Sequence, residues 1–157
     1  MGVAVEFPTK RISVGALIRD RHARLLLVKP TYRDGWLLPG GIVDVDESPR
    51  ASLVREIREE LGLTLDPGAL LCVDYVTAHG EYADGLHLLF DGGCLSDSRV
   101  QGLHVCDAEL QALQWATPEE AQGLLVPSLA RRLQPLRRVG PGVLCYLENG
   151  EVVGLPG

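Results

Sequence analysis

The segment Arg55-Glu56-Ile57-Arg58-Glu59-Glu60 crowds three carboxylates into five positions. On a helix, residues three and four apart share a face. At roughly 100° per residue, Glu56, Glu59 and Glu60 fall within a sector of about 100°. Like charges so placed destabilise a bare helix, so the face needs something positive. A hard divalent cation is the natural partner, because Mg²⁺ takes oxygen ligands and is shared between carboxylates and substrate phosphates. A solvated acidic face explains the triplet alone equally well.

The residues around the triplet specify how it is held. Pro39-Gly40-Gly41 supplies a turn where backbone can approach a ligand closely. Ser48 is a good N-cap and Pro49 sits at the first helical position. Leu53, Val54, Ile57 and Leu61 give the helix a buried side. Gly62 suits a left-handed C-terminal cap. Turn, helix and stop thus surround one acidic face.

The spacing is Gly41, five residues, Glu47, seven residues, Arg55-Glu56-Ile57, one residue, Glu59-Glu60, one residue, Gly62-Leu63. It fits the Nudix box at every defined position, and the chain resembles a Nudix hydrolase. The resemblance implies an α/β fold, an α/β/α sandwich with a central mixed sheet. It implies divalent-metal-dependent hydrolysis, with Mg²⁺ or Mn²⁺, of the diphosphate linkage in a nucleoside diphosphate linked to another moiety. Glu56 and Glu60 match the family's main metal ligands, and Glu59 an auxiliary ligand or base. Gly40 matches a residue whose backbone carbonyl binds metal. Arg55 and Glu47 match a pair that orients the acidic helix, which suits the planar fork an arginine offers a carboxylate. Many members recruit a further acid from a later loop. Asp107-Ala108-Glu109-Leu110 resembles that loop, with Glu109 the expected base or extra ligand and Asp107 the alternative. A solvated loop carboxylate is the competing reading.

Substrate signals are weaker. Tyr32 and Trp36 invite base stacking, although Trp36 also suits core or rim packing. Lys29 and Arg33 lie near the expected site and can meet phosphate, or remain solvated. Family subclass markers for ADP-ribose or dinucleoside polyphosphates are not in place at 78–81, with Tyr82 just beyond. The expectation is a nucleoside triphosphate or similar small nucleotide. The alternatives are an ADP-ribose or nucleotide-sugar pyrophosphatase, or a sensor of the same fold that binds without turnover.

The chain of 157 residues suggests one domain, 1–157, with a real core. A net charge of -6 disfavours a nucleic-acid polymer as partner, because phosphate backbones need clustered Lys and Arg. Cys72, Cys94, Cys106 and Cys145 lack metal-site spacing and read as reduced thiols. With no signal segment or membrane-length apolar run, a cytoplasmic location is expected. Strands are expected at 11–19, 24–29, 36–38, 70–77, 86–90 and 113–115, with Asp91-Gly92-Gly93 ending the fifth. Residues 96–110 read as irregular. Helices are expected after the Thr117 cap and at 128–137. Asn149-Gly150 predicts a terminal hairpin at about 142–155. It either closes a sheet edge or mediates a homodimer.

Overall fold

The computed structural model describes residues 5–154. The first four residues of the expected lead-in and the Leu155 end of the expected hairpin lie outside them. Eight strands and four helices follow in the order β1 (Arg11–Arg19), β2 (Leu25–Pro30), β3 (Gly40–Ile42), α1 (Pro49–Leu61), β4 (Leu70–Val76), β5 (Gly85–Cys94), α2 (Asp97–Gly102), β6 (Leu110–Ala116), α3 (Pro118–Leu124), α4 (Pro127–Leu136), β7 (Cys145–Glu148) and β8 (Glu151–Val152). One mixed sheet runs β6-β2-β1-β5-β4-β7-β8, and β3 pairs with β1 off this path. β1 is parallel to β5, and β4 to β7.

Side chains alternate across a strand, so each central strand feeds two cores. Val14, Ala16, Ile18, Leu26 and Val28 pack with Leu53, Ile57 and Leu61 of α1. Leu17, Leu25, Leu27 and Leu89 face the other way, onto Ala121, Leu129 and Leu133 of α3 and α4. This is the α/β sandwich with a central mixed sheet that the acidic motif implied.

Several boundaries differ from the sequence reading. β5 does not stop at Asp91-Gly92-Gly93 but continues to Cys94. Its pairing with β1 shifts register between Leu17 and Arg19. A Cβ on Gly92 would lie 2.5 Å from Ile18 Cγ1, so the glycine lets two backbones meet rather than ending a strand. Gly93 takes φ +74°, and its N–H donates to the Asp91 carboxylate at 2.8 Å. The expected irregular stretch contains α2, whose Val100 packs on the α1-side core. Residues 36–38 form only isolated bridges, Val28 to Leu37 and Trp36 to Leu125. The terminal hairpin is short and closes the sheet edge through β7 and β8, with Asn149 (φ 52°) and Gly150 (φ 82°) turning it.

Packing therefore dominates the stability of α1. Ile57→Ala should lower the unfolding free energy by about 2–5 kcal/mol, against about 1 kcal/mol for Ser48→Ala at its cap. Urea unfolding of the two variants checks the ranking, and equal losses would contradict it.

Candidate functional site

α1 begins as its sequence requires. The Ser48 hydroxyl accepts from the Ala51 N–H at 3.1 Å, and Pro49 opens the helix. It ends at Gly62 in the left-handed conformation, φ 63°. Between these stops, Arg55 organises the acidic residues. Its Nε and Nη2 donate to Glu47 Oε2 and Oε1, each at 2.8 Å. Its Nη1 donates to Glu56 Oε1 at 3.1 Å and Glu59 Oε2 at 3.3 Å. The guanidinium hydrogen bonds hold the Glu47 carboxyl down to about 2.

Glu60 is placed differently. Only 9% of it is exposed, although it follows the exposed Glu59. The Gly40 N–H donates to its Oε2 at 3.2 Å, and it forms no ion pair among the described residues. Burial, reinforced by Glu56, Asp107 and Glu109, pushes its carboxyl up to about 8. Burial also raises Glu56, against the pull of Arg55.

Two glycines shape this corner. A Cβ on Gly40 would meet Val14 O at 2.0 Å, so the β3 strand can lie this close to β1 only with glycine there. A Cβ on Gly41 would fall 2.2 Å from Glu56 Cδ, so the Glu56 carboxylate rests in the space of the missing side chain.

Gly40, Gly41 and Glu60 line a cleft of about 780 Å³ that also takes in Glu109, Tyr32 and Arg33. Tyr32 is 66% exposed. The loop acid is steadied locally: the Glu109 N–H donates to Asp107 Oδ1 at 2.8 Å. Trp36 is not brought to the cleft. It packs beside the α3/α4-side core, and its backbone is bonded to Leu124 and Val126 on either side. Of the two readings open for it, this position agrees with core or rim packing. A shallower groove of about 620 Å³ follows the outer side of α1 past Arg55 and Glu59 but does not include Glu60.

Sequence reasoning missed three cleft residues, Ser13, His87 and Arg132, and the buried Asp74 behind them that bonds Arg132. Ser13 and His87 are register partners on β1 and β5, and His87 and Asp74 on β5 and β4. The signal that could have found them is a polar residue at an inward position, as in the apolar run Leu86-His87-Leu88-Leu89.

The donor set suits a hard divalent cation. It offers clustered carboxylate oxygens, one of them buried among like charges without a counter-ion, and a glycine cradle that holds Glu56. Among the described residues no three His, Cys, Asp or Glu groups already close on one point. Glu56 and Glu59 are turned to Arg55, and Glu60 to the Gly40 N–H.

Comparison with known proteins agrees with this geometry. A family model described as NUDIX domain matches residues 9–138. The chain is 29% identical over 137 residues to a MutT-like protein of Streptomyces ambofaciens, covering 87% of this chain and 83% of that one. It is 37% identical over 125 residues to the CTP pyrophosphohydrolase of Escherichia coli K12, covering 71% and 80%. The crystal structure of a MutT protein from Methanosarcina mazei Go1 superposes with a TM-score of 0.71 at 27% identity, covering 86% of this chain and 97% of that one. No helix among the described residues is long and apolar enough to cross a membrane.

The Glu47–Arg55 contact predicts a pH dependence. A carboxyl held down to about 2 in the fold and near 4.3 when unfolded stabilises the protein above that higher value. The contribution is lost as pH falls toward 2. The difference in Tm between wild type and Glu47→Gln should be largest above pH 5 and vanish near pH 2. A difference that stays constant across that range would refute the assignment.

Proposed function

The chain belongs to the Nudix hydrolase family and is a pyrophosphohydrolase; from that premise we propose that it hydrolyses a nucleoside triphosphate to a monophosphate and pyrophosphate. The observation that carries the reading is Glu60, buried without a counter-ion in the same cleft as Glu109 and beneath the Gly40-Gly41 turn. Two relatives support the nucleotide class by their names, one a MutT-like protein and one acting on CTP.

Glu56, Glu59 and Glu60 would hold Mg²⁺ or Mn²⁺, with the Gly40 carbonyl as a further oxygen. Such an ion, when bound, neutralises phosphate oxygens and makes water a better nucleophile. The chain's own residues do the rest. Arg55, clamped by Glu47, holds Glu56 and Glu59 together beside Glu60 on α1 and lessens their mutual repulsion. Glu109 takes the proton from the attacking water, with Asp107 beside it as the alternative base. Water adds to one phosphorus of the α–β bridge as its bond to the bridging oxygen breaks, and the departing group, pyrophosphate or the nucleoside monophosphate, takes that electron pair. Tyr32 offers an aromatic face at the mouth and Arg33 a cation for phosphate. The protein works in the cytoplasm, where its four cysteines, all free thiols, stay reduced.

Turnover of a nucleotide panel with Mg²⁺ or Mn²⁺ should cease with chelator. Glu60→Gln should lose at least about 100-fold in kcat/KM while keeping its metal-free Tm, because Gln preserves shape and removes a buried charge. Adding Mg²⁺ should raise the Tm of wild type and not of this variant. Full activity in Glu60→Gln would sink the ligand assignment. Nucleotide binding with no turnover on any substrate would point instead to a sensor. Gly41→Ala should also lose activity, about tenfold or more, with its fold intact. Its Cβ claims the space of the Glu56 carboxylate, and that side chain can swing aside.

A further inference from the structure

On the sheet face toward α4, a row of polar side chains interrupts an otherwise apolar layer. Ser13, His87 and Asp74 are successive register partners on β1, β5 and β4. Ser13 Oγ and His87 Nδ1 are hydrogen bonded at 2.5 Å. Asp74 is 1% exposed and accepts from Arg132 Nε at 2.7 Å and from the Gly150 N–H at 3.0 Å. Two kinds of donor or acceptor in this row have nothing to bond. His87 Nε2 is a buried nitrogen without a hydrogen-bond partner among the described residues. Arg132 is 4% exposed and bonds the protein only through Nε, leaving its terminal N–H groups unpaired among the described residues. Both residues line the cleft that holds Glu60.

Leaving His87 Nε2 buried and unpaired costs about 1–3 kcal/mol, and the unpaired terminal N–H groups of Arg132 are at the cleft wall, within reach of a ligand. Resting on the hydrolase reading above, we propose that His87 and Arg132 read the nucleobase of the substrate and favour a base that carries a carbonyl oxygen over adenine. The geometry orders the contacts. Asp74, fixed by the hairpin through Gly150, holds the Arg132 guanidinium by one edge and leaves the other to donate to a carbonyl. The Ser13 hydroxyl either accepts from Nδ1–H or donates to Nδ1, so Nε2 presents a lone pair or an N–H as the base requires. Burial, then the charges of Arg132 and Arg11, hold His87 neutral, which keeps both options open. Gly15 leaves the recess beside Nε2. A Cβ there would sit 3.5 Å from Nε2, at the distance of an ordinary contact, so alanine fits the fold and fills the recess. Adenine sets its N6 amino donor beside the N1 and N7 acceptors, so a guanidinium edge with two donors meets a donor there, whereas a carbonyl oxygen beside a ring nitrogen offers it two acceptors.

The hairpin lies beyond the residues matched by the family model. Through Gly150 and Asp74 it becomes part of the reading surface, and Asn149 ties it to Thr77 at 3.1 Å in the cleft wall.

The test has a binding arm and a kinetic arm, both with the full chain. The protein has four histidines, so ¹⁵N spectra of the imidazoles can follow His87 while CMP, UMP or AMP is added without metal. His87 should shift with CMP and UMP and not with AMP. In the kinetic arm, CTP and UTP should exceed ATP in kcat/KM by about tenfold or more. Arg132→Lys, which keeps a cation beside Asp74, and Gly15→Ala should each bring that ratio toward unity through KM. Equal shifts with AMP, no His87 shift with any nucleotide, or an unchanged base ratio in both variants overturns the proposal. Selective His87 shifts in a protein that hydrolyses none of the triphosphates support base reading and remove the hydrolase reading. Turnover without a His87 response does the reverse.

Discussion

One guanidinium holds the acidic corner together. Arg55 meets Glu47 through two parallel hydrogen bonds and still reaches Glu56 and Glu59 with its remaining nitrogen. Lysine could not replace it, because a point charge cannot fork onto one carboxylate while touching two more. Without that clamp, Glu56 and Glu59 repel each other on neighbouring turns and splay into solvent. The clamp leaves Glu60 out, and the proposed chemistry rests on that omission. Glu60 sits under the Gly40-Gly41 turn with a backbone N–H and no cation, so the corner holds more negative charge than it neutralises. A divalent ion and the phosphates that come with it answer the imbalance.

The sheet serves this corner by bringing backbones unusually close. Gly40 lies against Val14 of β1, Gly41 against the Glu56 carboxylate and Gly92 against Ile18. At each place a methyl group would collide with a neighbour. Glycine's entropy cost on folding is borne where α1, β3 and β1 must converge, and Glu60 of α1 reaches the cleft beside them.

Much of this was legible in the sequence because it is local. The Ser48 cap, Pro49 and the Gly62 stop are signals of a few residues, and α1 begins and ends where they place it. The Thr117 cap also forms where expected, and Glu120 completes a capping box with it. What failed was governed by partners far along the chain. The Asp91-Gly92-Gly93 stretch has the composition of a turn, yet it continues β5 as a bulge, with one residue more than the β1 segment Leu17 to Arg19 that it pairs with. Trp36 left stacking and packing both open in the sequence, and its place beside the α3/α4-side core depends on pairing with the distant Leu125. The polar row Ser13, His87 and Asp74 spans 74 positions of sequence, from Ser13 to His87, and becomes a row only through strand register. Nothing within a short window announces it.

The separation between the acidic corner and the cores has a physical consequence for the whole molecule. α1 is anchored by Leu53, Ile57 and Leu61, each fully buried, on the side of the helix away from Glu56 and Glu59. Helix stability comes chiefly from that apolar face rather than from propensity or charge. The carboxylates are therefore free to be arranged against their own electrostatic preference. A scaffold that relied on the same residues for folding and for ion binding would unfold when the ion left. Here the apolar side keeps the helix in place while the acidic side waits for its counter-charge, so loss of a ligand and loss of the fold are separate events.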